Sequence, residues 1–566
     1  MKIKYVFILI IAIGLICYIN ALWAEFVWDD FLLVVNNPLI KSFNNFKTIF
    51  TSELSPKFDY YRPLQTLAYL LDYHLYNLKA WGFHLTNIII HILNALLVFL
   101  IFKIITKNLF ISLAGALLYV CAPIHTEAVT FISGRADLLL ACFSLLAFLF
   151  YIKERYISSL LFFILSLLSK EEAMIFPLIL IVYDLCFKRQ IIKKKLKIYS
   201  LFFLFNILYV ILRLSVFNFS QKPVFFRKIY FSPQINIFSR FLTFLKSILV
   251  YLKIIVLPVN LHMERKMEVT KNIFDPYVIA FLIGFILCFY LVFKFVKRRN
   301  FILFGLGWFF ITLIPQSSFI FPLILAEHFL YLPCIGIFLI AGIFLERMRQ
   351  RKKSFTFILL SIWILFYSSL TIIHNSNWVN PLRFYRWTLK FSPYSHKVHY
   401  ALGNYYVQYG MFELALKEYR KAIEIDKNFQ SSELNPDYIE NIYKKDSLLL
   451  SFIHHNIGVI LSQKGLLDDA EQEYKKSIAL NSRLIEAYND LGCLYIKQGK
   501  FLEAQNILNE ALKINPNFEK AYYNLGVIYA EKKEFKKAIS FWKKALEVNP
   551  NYIVAGEGIK RLKHGE

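Results

Sequence analysis

The chain reads as all-α: a polytopic helical membrane domain followed by a stacked array of helical hairpins. Three observations predict this. Hydrophobic residues make up 57% of the 566 and aromatics 18%, which excludes an ordinary soluble protein and points to many membrane spans. The charge balance changes near residue 390: 40 basic and 17 acidic residues come before it, 25 and 22 from there on. Finally, Gly458, Gly492 and Gly526 stand 34 residues apart. We therefore divide the chain into a membrane domain, 1–376, and a repeat domain, 377–566. The basic excess belongs to the membrane half, where it reads as topology signal and lipid contact, not as nucleic-acid binding.

A span needs roughly 20 apolar residues, and Lys and Arg gather on the cytoplasmic side of short loops. Lys2 and Lys4 put the start inside, and an uncleaved signal anchor over about 5–23 delivers Asp29-Asp30 outside. The second span, about 84–105, returns to Lys103 and Lys107. The third and fourth, about 109–122 and 137–152, bracket an outer turn from Pro123 to Arg135. The next two flank Ser169-Lys170-Glu171-Glu172 outside and end at the basic run Lys188–Lys197. Spans at about 198–216, 276–295, 301–315, 329–345 and 355–373 complete eleven. Residues 238–257 are apolar but interrupted by Lys246 and Lys253, and read as an outer-face or re-entrant helix. This parity puts the C-terminal domain on the same extracytoplasmic side as Asp29-Asp30.

Leu491, Gly492, Tyr495, Ala504, Ala511 and Pro516 recur 34 residues later as Leu525, Gly526, Tyr529, Ala538, Ala545 and Pro550. Period and residue types are those of tetratricopeptide repeats, whose helix pairs stack into a concave binding face. Leu402, Gly403 and Tyr406 open an earlier repeat, and its spacing to Gly458 implies an insertion at about 428–448. Tyr385 and Pro393 extend the register backwards as a half-repeat.

The seven cysteines are scattered and read as small buried hydrophobes, with no disulfide framework and no zinc spacing. The acids of the membrane half are uneven: 14 of 17 fall on or near the outer face. With them lie Arg62, His84, His91, His125, Arg135, Lys170 and His328. Ionisable groups converging on one face indicate a polar cavity. Carboxylates serve as general bases and cations steady a phosphate leaving group, a combination suited to transfer from a lipid phosphate to a hydroxyl. Bland alternatives stand beside each piece. Asp29-Asp30 could cap a helix, and Arg62 could anchor a headgroup. His84 and His91 could be hydrogen-bond glue between helices. Arg135 with Asp137, Lys170 with Glu171, and Glu327-His328 could be structural pairs. A divalent metal is disfavoured, and no glycine-rich phosphate loop is present.

As a set, these motifs resemble the transmembrane O-mannosyltransferases that carry tetratricopeptide repeats. The likeness lies in Phe26-Val27-Trp28-Asp29-Asp30, Tyr61-Arg62-Pro63-Leu64 and His84-Leu85-Thr86-Asn87. It continues in Pro123-Ile124-His125-Thr126-Glu127, Gly134-Arg135-Ala136-Asp137, Ser169-Lys170-Glu171 and Ala326-Glu327-His328-Phe329-Leu330-Tyr331-Leu332-Pro333. The resemblance implies a GT-C fold, a polyprenyl-phosphate-linked sugar as donor, typically mannose, and Ser or Thr hydroxyls of a protein as acceptor. It implies Asp29 and Asp30 as the catalytic pair. It also implies Arg62, His84, His125, Glu127, Arg135, Asp137, Lys170, Glu171, Glu327 and His328 as donor-phosphate or site-shaping residues. His328 stands where the family more often has Arg. The Lys-, Ile- and Asn-rich composition looks bacterial, which would make the location an inner membrane and undecaprenyl phosphate the carrier. The expected partners are membrane lipid, the lipid-linked sugar and an acceptor protein in the repeat groove. Two competitors remain: a transferase of the same fold acting on a lipid or glycan, and a non-enzymatic membrane scaffold.

Overall fold

The computed structural model describes residues 2–52, 54, 60–216, 236–295, 299–316, 324–430 and 436–564. They form two compact units, residues 1–393 and 394–566. The division falls after Pro393, because the helix Pro381–Phe391 packs within the first unit. Its Trp387 indole N–H donates to the Leu261 carbonyl at 2.8 Å, and Phe384 packs on Trp378 with ring centroids 4.5 Å apart.

Every apolar segment expected to span is helical in the first unit. Among the described residues, six helices are long and apolar enough to cross a bilayer: Ile3–Trp23, Ala80–Thr106, Ile132–Ile152, Lys193–Leu214, Pro276–Lys294 and Lys353–Trp378. A seventh crossing results if Leu109–Val120 and Pro123–Thr130, bent by 51°, count as one. The remaining segments are shorter or more charged: Tyr156–Ser169, Phe176–Phe187, Arg299–Leu313 and Cys334–Arg351. Helix Ile237–Val256 carries Arg240, Lys246 and Lys253 and is too charged to count among the six. Among the described residues the fold is all-α apart from a two-residue ladder, in which Arg265–Lys266 pairs antiparallel with Ile324–Leu325.

Local chemistry sets the breaks. Helix Ala80–Thr106 ends where Lys107 turns left-handed, at φ 52°. Asn108 restarts the chain by accepting the Phe110 and Ile111 N–H groups, a side-chain N-cap. Pro123 enforces the bend that follows. Small residues bring helices together, as expected where apolar burial alone gives no preference between lipid and protein. The closest approach is Gly305 against Gly336: a β-carbon on Gly336 would lie 2.1 Å from the Gly305 carbonyl oxygen. Both neighbours are backbone and cannot rotate away. Gly336→Ala should therefore cost about 1–3 kcal/mol through overpacking, read as a lowered thermal midpoint. Gly284→Ala is the control. Nothing lies within 4 Å there, and the change should be neutral or slightly stabilising.

The second unit is a run of helical hairpins from His396–Gln408 to Ile553–His564. The 34-residue glycine period has a steric cause. A β-carbon at Gly403, Gly458, Gly492 or Gly526 would meet Tyr419, Tyr474, Leu508 or Trp542 at 2.3–2.7 Å. Gly410, Gly465 and Gly499 end the first helix of each hairpin at φ 70–79°, and Lys533 takes that place in the last one, at φ 63°. The expected insertion is accommodated by Phe412–Gln430 and the 28-residue Pro436–Gln463, with 431–435 outside the described residues.

Candidate active site

The acidic pair lies just past the first apolar helix. Trp28 adopts φ 50°, the left-handed region that costs a bulky residue on the order of 1–2 kcal/mol. Its ring packs near Phe384 and Tyr385, with centroids 6.4 and 6.1 Å away, which holds the turn. The turn separates the two acids. Asp30 is buried: its Oδ1 accepts from the Ser133 N–H (2.9 Å) and hydroxyl (2.6 Å), and its Oδ2 accepts from the Val27 N–H (3.1 Å). Asp29 retains accessible surface, and its carbonyl accepts from the Leu32 and Leu33 N–H groups.

Burial pushes the Asp30 carboxyl up to about 7, against the three donors that favour its ionised form. The folded value lies above the unfolded one, so the neutral acid is the form that folding favours. Its contribution is complete below about pH 4 and is lost as pH rises through about 7, with an upper bound on the order of 4 kcal/mol. The thermal midpoint of the wild type, measured relative to Asp30→Asn, should fall across that window. A difference independent of pH would refute the assignment.

A second layer holds the clamp. Gln65 Nε2 donates to the Ser133 carbonyl at 3.0 Å and to the Tyr69 hydroxyl at 2.9 Å. The Tyr69 hydroxyl donates to the Ile132 carbonyl at 3.0 Å. Arg135, with no exposed surface, lies over the Tyr69 ring at 4.9 Å. Its Nε donates to Asn87 Oδ1 (2.8 Å), its Nη2 to the Phe83 carbonyl (2.7 Å) and its Nη1 to Asp72. The guanidinium is thus occupied by protein partners, joining the helix Pro63–Tyr76 to the helix Ala80–Thr106. His84, also buried, donates through Nε2 to the Ala24 carbonyl at 3.1 Å. His125 turns away from the acids, its Nε2 3.1 Å from Cys334 Sγ.

The other candidates gather in two further groups. Arg62 grips Glu171 with two bonds of 3.2 and 3.1 Å and lies over Tyr60. Burial opposes ionisation of Glu171, but the Arg62 charge offsets it and holds the carboxyl down at about 2. Lys170 is buried between Asp137 (2.8 Å) and Glu172 (3.1 Å). Burial works against its charge; those two carboxylates outweigh it and raise the ammonium. In the last group, Glu127 Oε2 accepts the Glu327 and His328 N–H groups (2.7 and 3.0 Å), and Oε1 pairs with His328 Nδ1 (2.8 Å). Burial, then the Glu127 charge, push Glu327 up to about 8, against Arg265 at 3.2 Å.

Two cavities adjoin these groups. One, a narrow space, is lined by Asp137, Glu172, His328, Thr312 and apolar neighbours. The other, equally narrow, has Glu127 and Glu327 on its wall. The Glu127–His328 pair therefore stands between them. Sequence reasoning missed Ser133 and Gln65, which carry no motif, and counted Asp72 only among the outer-face acids. It also missed Arg213, a buried cation inside an apolar run whose charge reaches Glu171. Among the described residues, no three His, Cys, Asp or Glu side chains are placed to hold a metal ion.

Tetratricopeptide repeat families match residues 396–429, 453–483, 492–533 and 519–552. A Caenorhabditis elegans protein named protein O-mannosyl-transferase F38B6.6 is 28% identical over 445 residues, 75% of this chain and 63% of that protein. The human protein O-mannosyl-transferase TMTC3 is 26% identical over 560 residues, 85% of this chain and 61% of its own length. This chain is a homologue of proteins named protein O-mannosyl-transferase. It spans about three fifths of the length of these curated relatives. Both are animal proteins, and they give no support to the bacterial source expected from composition. Among solved structures, a crystal structure of MamA is 24% identical and covers 30% of this chain and 86% of its own, with a TM-score of 0.25.

Proposed function

We propose that the chain is an integral-membrane glycosyltransferase that moves a hexose, mannose by its homologues' names, from a polyprenyl-phosphate donor to Ser or Thr hydroxyls of a protein at the extracytoplasmic face. The observation that carries this reading is the clamp on Asp30, which leaves the adjacent Asp29 partly accessible at a turn whose Trp28 packs near Phe384, a residue of the second cavity's wall. In this reading Asp29 accepts the hydroxyl proton while the oxygen attacks C1 of the sugar. The C1–phosphate bond breaks and the lipid phosphate departs with the electron pair. Attack opposite the leaving group inverts the anomeric centre. Phosphate is a good leaving group, and no general acid is required.

Asp30, Ser133, Gln65, Tyr69 and Arg135 act as positioning residues, since each is held by hydrogen bonds to protein partners. His328 lines the cavity that Asp137 and Glu172 also line, Lys170 pairs with both of those acids, and Arg62 pairs with the adjacent Glu171. Each is paired with a carboxylate, so an arriving phosphate would have to share that cation with its protein partner. The repeats are read as the acceptor-binding arm, raising the acceptor's local concentration.

The test is transfer in native membranes from a radiolabelled polyprenyl-phosphate mannose, with products separated into protein and lipid fractions. Label on Ser or Thr of protein supports the reading. Label in lipid alone would move the acceptor to the competing class. No transfer from mannose, glucose or N-acetylglucosamine donors would sink it.

A further inference from the structure

We propose that the last two hairpin tips of the repeat unit bind a lipid surface carrying anionic headgroups. Each hairpin turns through a left-handed residue: Gly410, Gly465, Gly499 or Lys533. Within three positions of each comes a large apolar side chain that packing leaves in the open. These are Met411 (48% exposed), Leu466 (49%), Leu502 (66%) and Phe535 (48%). The last three turn residues stand 34 apart, and successive hairpins pack against one another, so the tips share one edge. A single exposed hydrophobe is ordinary. One at the same point of four consecutive hairpins forms a row, and rows of that kind mark contact surfaces.

The turns of the opposite edge differ in kind. Asn481, Asn515 and Asn549 also stand 34 apart, and each side chain accepts an N–H two residues on, from Arg483, Asn517 and Asn551, at 3.0–3.1 Å. These are self-capped polar turns, satisfied within the chain. Ile553 and Val554, at the start of the closing helix, are exposed as well. They follow a polar turn and serve below as a control.

Charge selects the end of the row and the partner. The first two tips carry a net negative charge: Glu413 alone in 408–414, and Lys464 against Asp468 and Asp469 in 462–469. The sign then reverses. Lys497 and Lys500 outweigh Glu503 in the third tip. In the fourth, Lys532, Lys533, Lys536 and Lys537 outweigh Glu531 and Glu534. Lys543 and Lys544 continue the excess along the exposed side of Phe535–Val548. Lys500 and Lys537 are shared with Glu471 and Glu534, at 3.4 and 2.6 Å. Each of these two tips is a convex point with an apolar apex and a basic collar. A fluid surface yields to such an apex, and its anionic headgroups meet the ammonium groups; apolar burial and charge then add. The chain itself keeps a bilayer in reach: Lys353–Trp378 is long and apolar enough to cross one, and the repeat unit begins at Tyr394.

The experiment uses the full chain in nanodiscs holding one copy each. One set contains phosphatidylcholine alone, the other phosphatidylcholine mixed with phosphatidylglycerol. Both carry a trace of phosphatidylcholine with a diazirine at its headgroup end. After irradiation, lipid adducts are mapped by peptide mass spectrometry. Peptides spanning 497–502 and 532–537 should be labelled above those spanning 481–483, 515–517 and 553–554. Phosphatidylglycerol should raise tip labelling about fivefold or more, the weight of one lysine at an anionic surface. Leu502→Asp combined with Phe535→Asp should return the tips to the level of the opposite edge. Both sites are exposed, so the thermal midpoint should hold. Lys532→Gln with Lys536→Gln should bring the two lipid mixtures within about twofold of each other. Tip labelling no higher than at the opposite turns, unchanged in the Asp pair, or equal in both mixtures for the wild type would overturn the proposal. An added acidic polypeptide that crosslinks at these tips, with no lipid found there, would overturn it in favour of a protein partner.

Discussion

Arg135→Leu should destabilise the membrane unit by about 3–5 kcal/mol, the cost of stranding a buried charge. The arginine is fully buried, and its loss leaves Asp72, also buried, without its cation. Asn87 Oδ1 and the Phe83 carbonyl lose a donor at the same time. Burial already raises Asp72, and the guanidinium is the strongest influence opposing it. The measurement is the thermal midpoint in detergent. Pairing the change with Asp72→Leu removes the orphaned carboxyl and should recover most of the loss, since apolar replacement of a whole buried pair is often neutral or better. A phosphate ligand would behave otherwise: the single variant would fold normally and lose donor affinity, and the double variant would rescue nothing.

Asp29→Asn should lower transfer by at least about 100-fold, within the range of 10²–10⁴ for a lost general base. The amide cannot take up the acceptor's proton, yet it matches the acid in size and leaves the turn at Trp28 intact. The loss should appear in kcat with both KM values near the wild type. Asp30→Asn should behave differently. Its amide places an N–H₂ against the Val27 N–H or against Ser133, both of which donate to this side chain. Its loss should therefore come with a shifted thermal midpoint. Equal activity of Asp29→Asn and wild type would remove Asp29 from the chemistry.

Periodicity and hydropathy are local properties, and what depended on them was legible. Every apolar run became a helix, and the spacing of Gly458, Gly492 and Gly526 marked a real close approach between paired helices. The number of crossings was less legible, because helices such as Phe176–Phe187 and Cys334–Arg351 are too short or too charged to declare themselves by composition. Pairings were not legible at all. Arg62 meets Glu171 across 109 residues and Asp30 meets Ser133 across 103. Motifs pointed to the acids and the arginines; only tertiary contact could show that Arg135 serves Asp72 and Asn87. Ser133 is one serine among many in the sequence, and nothing in its neighbours marks it as the anchor of a buried carboxylate.

The seam between the two ends of the first unit carries a consequence in time. Asn20 donates to the Ile372 carbonyl, and Asn375 donates to the Cys17 carbonyl and to Asn20. The Glu25 N–H donates to the Val379 carbonyl, and the Thr130 hydroxyl to Asn375. The acidic turn is thus bounded by residues translated about 250 positions after Thr130. At roughly 5–20 residues per second, the ribosome needs on the order of 12–50 s to deliver them. For that interval the nascent chain holds a half-built turn, with the partners of Asn20, Glu25 and Thr130 still to come. Membrane chaperones would have their longest opportunity to engage it then, and truncations short of residue 380 should be degraded even though every candidate catalytic side chain has already been made.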